Sequence, residues 1–180
     1  MQAEERQFAI EQLTLSEARL LQLVDGLSPS QWDFREVPER WSIAENVEHL
    51  VLFEDFIRGA IRSAADRPAE LQKKTEAAIK ESVVLALSNA RAITFKARDV
   101  VLPTGRRQDK KELVLEFCKT RARTLLFASE TQLSLRDHFF PHIAFGDLDC
   151  YQWLIVLGQH TLRHTVQIEE IQKNDAYPAS

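Results

Sequence analysis

At three places in this 180-residue chain a short polar side chain precedes, by three positions, a longer one able to reach back, and an amphipathic run begins there. Ser42 with Glu45, Asp109 with Glu112 and Asp149 with Gln152 have this spacing. The first oxygen accepts an amide that the opening helical turn leaves unbonded, and the second side chain can return to the cap's own amide. Such pairs fix where helices begin. The apolar residues downstream of each pair fix which face is buried. From Ser42 to Ala65 the apolar side carries Val47, Leu50, Val51, Phe53, Phe56, Ile57 and Ile61. Leu113, Phe117, Leu125 and Phe127 mark a second run to about Thr131, and Trp153, Leu154, Leu157, Ile168 and Ile171 a third to about Lys173. A fourth run over residues 2–27 has Phe8, Leu13, Leu20 and Val24 among charges and ends near Gly26 and Pro29. Each has the period of a helix with one apolar stripe.

The connections are less regular. Residues 28–40 are rich in turn formers, with Trp32 and Phe34 expected to cover a bundle end. Pro68 stops the run that begins at Ser42, and residues 69–90 read as helix despite the polar stretch Gln72-Lys73-Lys74-Thr75-Glu76. Within 91–106, Ile93, Phe95, Val100, Val101 and Leu102 before Pro103 and Gly105 predict a short extended segment leading into a loop. Pro141 and Gly146 keep any long helix out of 134–148. The expected fold is therefore all-α, a four-helix bundle with long crossover connections, in a single domain over residues 1–180.

Composition narrows the function classes. Hydrophobic residues at 44% support a packed core, and a net charge of −4 lacks the basic face that nucleic-acid binding requires. No apolar run approaches the roughly 20 residues that span a bilayer. The charged opening Met1-Gln2-Ala3-Glu4-Glu5-Arg6 has no apolar segment behind it, so no signal peptide and a cytoplasmic location are expected. Cys118 and Cys150 stand in separate predicted helices without a CxxC spacing and read as reduced, buried thiols.

The chemistry concentrates in histidine. His160 and His164 are four residues apart in the last predicted helix, which places their rings on one face about 6 Å apart along the axis. They share that face with Leu157, Ile168 and Ile171, so they point into the core. Buried imidazoles need hydrogen bonds or a metal. His49, near the start of the run that opens at Ser42, offers a third ring. Three histidines from two helices form a ligand set with positions left open for water or substrate, as in catalytic sites. Imidazole suits zinc, nickel, copper and iron, and histidine alone does not choose among them, although zinc or nickel is the expected ion.

Arg163, Gln167 and His142 are the candidate catalytic residues. Arg163 and Gln167 flank the histidine pair, suited to orienting substrate or water, with Arg163 equally readable as an exposed charge paired with a neighbour. His142 reads either as a surface or capping residue or as entering the last helix at the mouth of the site. Glu45 is a capping residue first and a support for His49 second. Trp41 and Trp153 read as packing, and Arg106, Arg107, Lys110 and Lys111 as a solvated basic cluster. No GxSxG elbow occurs, and neither cysteine has a histidine adjacent in sequence.

These motifs resemble a known family. Trp41-Ser42-x-x-Glu45-x-x-x-His49-Leu50 is similar to the first motif of the DinB-like (DinB/YfiT) superfamily. Phe145-Gly146-Asp147-Leu148, Trp153 and His160-x-x-Arg163-His164-x-x-Gln167-Ile168 are similar to its last. The resemblance implies a divalent metal on His49, His160 and His164, and a homodimer. His142 stands where many relatives have a histidine followed by proline; here Ile143 follows. Relatives include thiol-dependent S-transferases, so the resemblance implies a metal-dependent enzyme, an S-transferase or hydrolase acting on a small molecule, with a low-molecular-weight thiol as a candidate partner. The alternatives are a non-catalytic metal-binding stress-response module and a helical interaction protein.

Overall fold

The computed structural model describes residues 1–87, 97–105 and 109–179. Six α-helices lie among the described residues: α1 (Ala3–Val24), α2 (Pro29–Trp32), α3 (Ile43–Ala65), α4 (Lys74–Leu87), α5 (Lys110–Glu130) and α6 (Cys150–Gln172). The three expected caps are formed. Ser42 Oγ accepts from the amide of Glu45 while Glu45 returns to the amide of Ser42 at 2.9 Å. Asp149 and Gln152 do the same, and Asp109 accepts from the amide of Glu112. At the start of the chain α1 opens on Gln2 and Glu5, a reciprocal pair that the spacing rule for short polar caps does not pick out.

The four long helices α1, α3, α5 and α6 form the bundle. Helix α1 packs on α6 and α5, and α3 packs on α5 and α6. Consecutive helices α1 and α3 are therefore diagonal, as are α5 and α6, which is why the connections between them are long crossovers. At Gly158 a Cβ would stand 3.0 Å from the carbonyl oxygen of Gln12, so glycine lets α6 press on α1. Two apolar clusters fill the interior. One joins Leu13, Ile57, Ile61, Leu154 and Leu157; the other joins Leu20, Trp32, Val47, Leu50, Phe117 and Ile168. Trp32 is 1% exposed, so it closes one cluster as expected.

Between them runs a buried ionic layer that no sequence pattern indicated. The Arg121 guanidinium on α5 is fully buried. It donates to Glu54 of α3 at 2.8–3.1 Å, to the Leu13 carbonyl and Ser16 Oγ of α1 at 2.6 and 2.8 Å, and to Thr161 Oγ1 of α6 at 2.9 Å. All four bundle helices meet on this one side chain.

The structure corrects two expectations in the connections. Residues 134–148 hold an antiparallel hairpin, β1 (Phe139–His142) and β2 (Gly146–Asp149), because Gly146 takes φ +67° and lets the chain reverse. His142 ends a strand and does not enter α6. In the expected extended segment, 91–96 and 106 lie outside the described residues, and Asp99–Val101 is a 3-10 turn. Residues 69–90 begin with a 3-10 turn at Leu71–Lys73 before α4, and 88–90 lie outside the described residues. No helix among the described residues is long and apolar enough to cross a membrane.

Candidate metal centre

His49 comes from the second turn of α3, and His160 and His164 from the inward face of α6. Their ligand atoms all lie within 4.8 Å of one another. His49 Nε2 and His160 Nε2 are 3.0 Å apart, and the His164 ring centroid is 4.8 Å from that of His49 and 4.6 Å from that of His160. His49 and His164 are buried, whereas His160 is half-buried and forms the open side of the cluster.

Hydrogen bonds fix which nitrogens point inward. His49 Nδ1 is 2.7 Å from the Val101 carbonyl, an acceptor only, so Nδ1 carries the proton and Nε2 a lone pair. His164 Nδ1 is 2.8 Å from Asn46 Oδ1. The Asn46 amide is itself oriented, since its Nδ2 donates to the Ser42 carbonyl at 2.8 Å. Again Nδ1 is the donor and Nε2 keeps its lone pair. Burial pushes the His49 pKa down to about 4, opposed in part by its bond to Val101. His160 also lies well below the ordinary histidine value, first through burial and then through the charges of His49, Arg163 and His142. Both rings are neutral at neutral pH, the form that ligates.

The donor set fits a divalent ion. The lone pair of His49 Nε2 faces His160 Nε2 at 3.0 Å, a separation that either a proton on His160 or a cation between the two rings satisfies. Two ligands about 2.1 Å from a tetrahedral ion stand about 3.4 Å apart, close to the separation found. Nitrogens held by second contacts to a carbonyl and an amide are what such sites use to orient imidazoles.

Aromatic side chains wall the cluster. Trp41 stacks on His164 at 6.1 Å and lies 4.8 Å from His49, and Phe53 lies 4.0 Å from His160. His142 is at the margin, 5.1 Å from the Trp153 ring and 4.7 Å from Phe145. Its Nδ1 accepts from the Ala144 amide at 3.0 Å, which leaves the proton on Nε2, and burial with the nearby Arg98 charge takes its pKa down to about 4. Arg163 lies near enough to His160 to depress its protonation, and Gln167 is half-buried one turn beyond. Glu45 does not touch the histidines; it caps α3 and pairs with Arg35 at 2.6 Å.

Three supports of the cluster are not among the residues that sequence reasoning singles out: Asn46, the Val101 carbonyl and Glu48. Glu48 is buried and accepts from Thr104 Oγ1 at 2.7 Å and the Gly105 amide at 3.0 Å. It thereby straps the 97–105 segment down and holds Val101 over His49. Asn46 had a legible signal, a polar residue three positions before His49 on an apolar face. A backbone carbonyl distant in sequence leaves none. The cysteines offer no nucleophile, since burial drives the Cys150 thiol up to about 12 and raises that of Cys118.

A crossover bundle carrying inward-facing histidines on two helices defines a family, and the sequence agrees. The DinB superfamily model matches residues 12–168, and the chain belongs to that superfamily. Among solved structures it is similar to YfiT from Bacillus subtilis, described as "a probable metal-dependent hydrolase with an unusual four-helix bundle topology". The TM-score is 0.57 at 16% identity, over 99% of this chain and 91% of that one, a likeness of fold. No curated protein sequence matches the chain.

Proposed function

We propose that this protein is a metal-dependent enzyme acting on a small molecule, with His49, His160 and His164 holding one divalent ion, zinc or nickel. One observation carries the reading: the bonds to Val101 and Asn46 turn the Nε2 lone pairs of His49 and His164 toward the space that His160 also faces. The description of YfiT as "a probable metal-dependent hydrolase" supports it. A bound divalent ion supplies Lewis acidity, lowering the pKa of a coordinated water or thiol so that the nucleophile forms near neutral pH.

The chain's own groups do the rest. Trp41 and Phe53 exclude bulk water from the histidines. In this reading His142, neutral with its proton on Nε2, donates to a substrate atom, and Arg163 and Gln167 orient substrate beside His160. A water nucleophile makes the enzyme a hydrolase, and a low-molecular-weight thiol makes it an S-transferase. The burial of His49 and His164 favours a second reading, a non-catalytic module in which the ion staples α3 to α6.

Metal analysis of untagged protein with a panel of hydrolysis and thiol-transfer reactions separates these. The enzyme holds about one ion per chain, and His160→Ala loses both ion and turnover. Metal content below about 0.1 per chain after growth in zinc and nickel overturns both readings, since a three-ligand site retains metal. A full complement of ion, a large fall in melting temperature on chelation and no turnover across the panel favours the module.

A further inference from the structure

The 97–105 segment does more than deliver the Val101 carbonyl. It also brings a cation to the edge of the histidine cluster. Arg98 is exposed, and its guanidinium lies over the ring of Phe56 at 5.8 Å from the centroid. Phe56 is one turn along α3 from Phe53, which lies against His160. Arg67, Arg121 and Arg136 direct their guanidinium groups to carbonyls or carboxylates that hold the fold together. Arg98 has no carboxylate within ion-pair distance among the described residues, although Asp99 is its neighbour in the chain. Among the described residues its guanidinium is held by the Phe56 ring, and the backbone that carries it is fixed from both sides. The amide of Val101 bonds to the Arg98 carbonyl at 3.0 Å, and Glu48 anchors the far end of the segment.

The strip between the histidines and Arg98 is aromatic. Phe53 and Phe56 line it on α3, both half-buried, and Trp153 with His142 stands on the α6 side. Seven residues separate His49 from Phe56, which at the helical rise is about 10 Å. An arginine held over an aromatic ring at the end of a half-buried apolar strip recognises a carboxylate or phosphate with two parallel N–H donors, and guanidinium gives up its hydration more readily than an ammonium does.

We infer that the substrate is an amphipathic anion whose apolar body lies on Phe53 and Phe56 and whose carboxylate or phosphate end is bound by Arg98. This rests on the metal-centred reading above, and it concerns which molecule is presented to that centre.

The test uses chelator-treated, metal-free protein, so that no ion can bind the probe's carboxylate. 4-Phenylbutyrate and its uncharged amide are titrated by calorimetry and by tryptophan fluorescence, which Trp41 and Trp153 make sensitive to the strip. The acid should bind roughly 10-fold more tightly than the amide, the size of one charge-assisted pair. Arg98→Gln should bring the ratio to about one with amide affinity unchanged, and Arg98→Lys should restore part of it, since an ammonium lacks the planar fork. Equal binding of acid and amide by wild type overturns the inference, as does detectable binding of neither. So does a preference that survives Arg98→Gln, or one abolished by Arg163→Gln instead. Metal content is measured on separate untreated protein. An acid preference carried by Arg98 in a chain that holds no ion keeps the anion subsite and removes the metal reading. Loss of the preference in a chain that holds one ion does the reverse.

Discussion

Two polar clusters are buried in adjoining layers of the same bundle, and their hydrogen-bond accounts differ. At Arg121 all five N–H donors meet acceptors: two carboxylate oxygens of Glu54, the Leu13 carbonyl, Ser16 Oγ and Thr161 Oγ1. At the histidines the outward nitrogens are tied, Nδ1 of His49 to Val101 and Nδ1 of His164 to Asn46. The inward nitrogens converge on one another, and His49 Nε2 meets the Nε2 of His160 rather than a carbonyl or a carboxylate. Thr161 belongs to the first cluster and His160 to the second, so one peptide bond separates a closed layer from an open one. Closure holds four helices in register. Openness, at a place where the chain bears the desolvation of neutral imidazoles, is what a ligand site requires.

The sharpest break comes from opening the closed layer. Arg121→Met leaves the Glu54 carboxylate buried without its partner, which should destabilise the fold by about 3–5 kcal/mol in urea denaturation. Adding Glu54→Leu should recover most of that loss, because a buried ion pair and well-packed apolar groups of similar volume are near equals. If the double variant is no better than the single one, the layer's worth lies in its bonds to Leu13, Ser16 and Thr161 rather than in the pair.

The open layer should respond in affinity instead. Asn46→Ala strips the acceptor from His164 Nδ1 and should weaken zinc binding about 10- to 100-fold in competition with a fluorescent chelator. Asn46→Asp, which keeps an acceptor, should retain binding. Unchanged zinc affinity in the alanine variant would mean that His164 needs no orientation and that its bond to Asn46 belongs to packing.

The two layers also differ in how much of them the sequence discloses. Helix starts are local: Ser42 with Glu45 and Asp149 with Gln152 lie within one turn of each other, so their spacing alone reveals them. The histidine pair of α6 is equally local, and His49 stands out because imidazole is uncommon on an apolar face. Arg121 and Glu54 are not legible, since a charged residue on an amphipathic helix reads as solvated unless its partners on three other helices are known. The Val101 carbonyl has no side-chain signature at all. The hairpin at Phe139–Asp149 was hidden for a related reason, because two four-residue strands around a glycine turn hold too few residues to show a period.

Acidification separates the layers on another axis. The folded pKa of His49 is depressed to about 4 against an ordinary value near 6.5, so the unfolded chain binds the extra proton between those limits. Stability from this group is complete above about pH 6.5 and is lost as pH falls towards 4, at up to about 1.4 kcal/mol per pH unit for one proton. His160 shifts in the same direction and should add to the slope. Metal-free protein melted across this window should show the decline, and His49→Phe should flatten it. A slope unchanged in that variant would place the acid sensitivity outside the open layer.

The smallest expected effect is the most discriminating, because it reaches one layer and spares the other. At Gly158 an added Cβ meets Gln12 backbone atoms at 3.0 and 3.1 Å, and backbone cannot rotate away as a side chain can. Gly158→Ala must therefore move α1 off α6 by a few tenths of an ångström. Helix α1 carries Leu13, whose carbonyl accepts from Arg121 at 2.6 Å, so the closed layer feels the shift. The histidines stand on α3 and α6, whose mutual packing does not pass through α1. Overpacking costs about 1–3 kcal/mol, and the better helix propensity of alanine offsets about 1 kcal/mol of it. A net loss of about 1 kcal/mol in urea denaturation, with zinc affinity within about twofold of wild type, fits two layers that share helices and act separately. A tenfold fall in zinc affinity would show that the position of α1 sets the histidine geometry, and the division between a layer for folding and a layer for binding would fail.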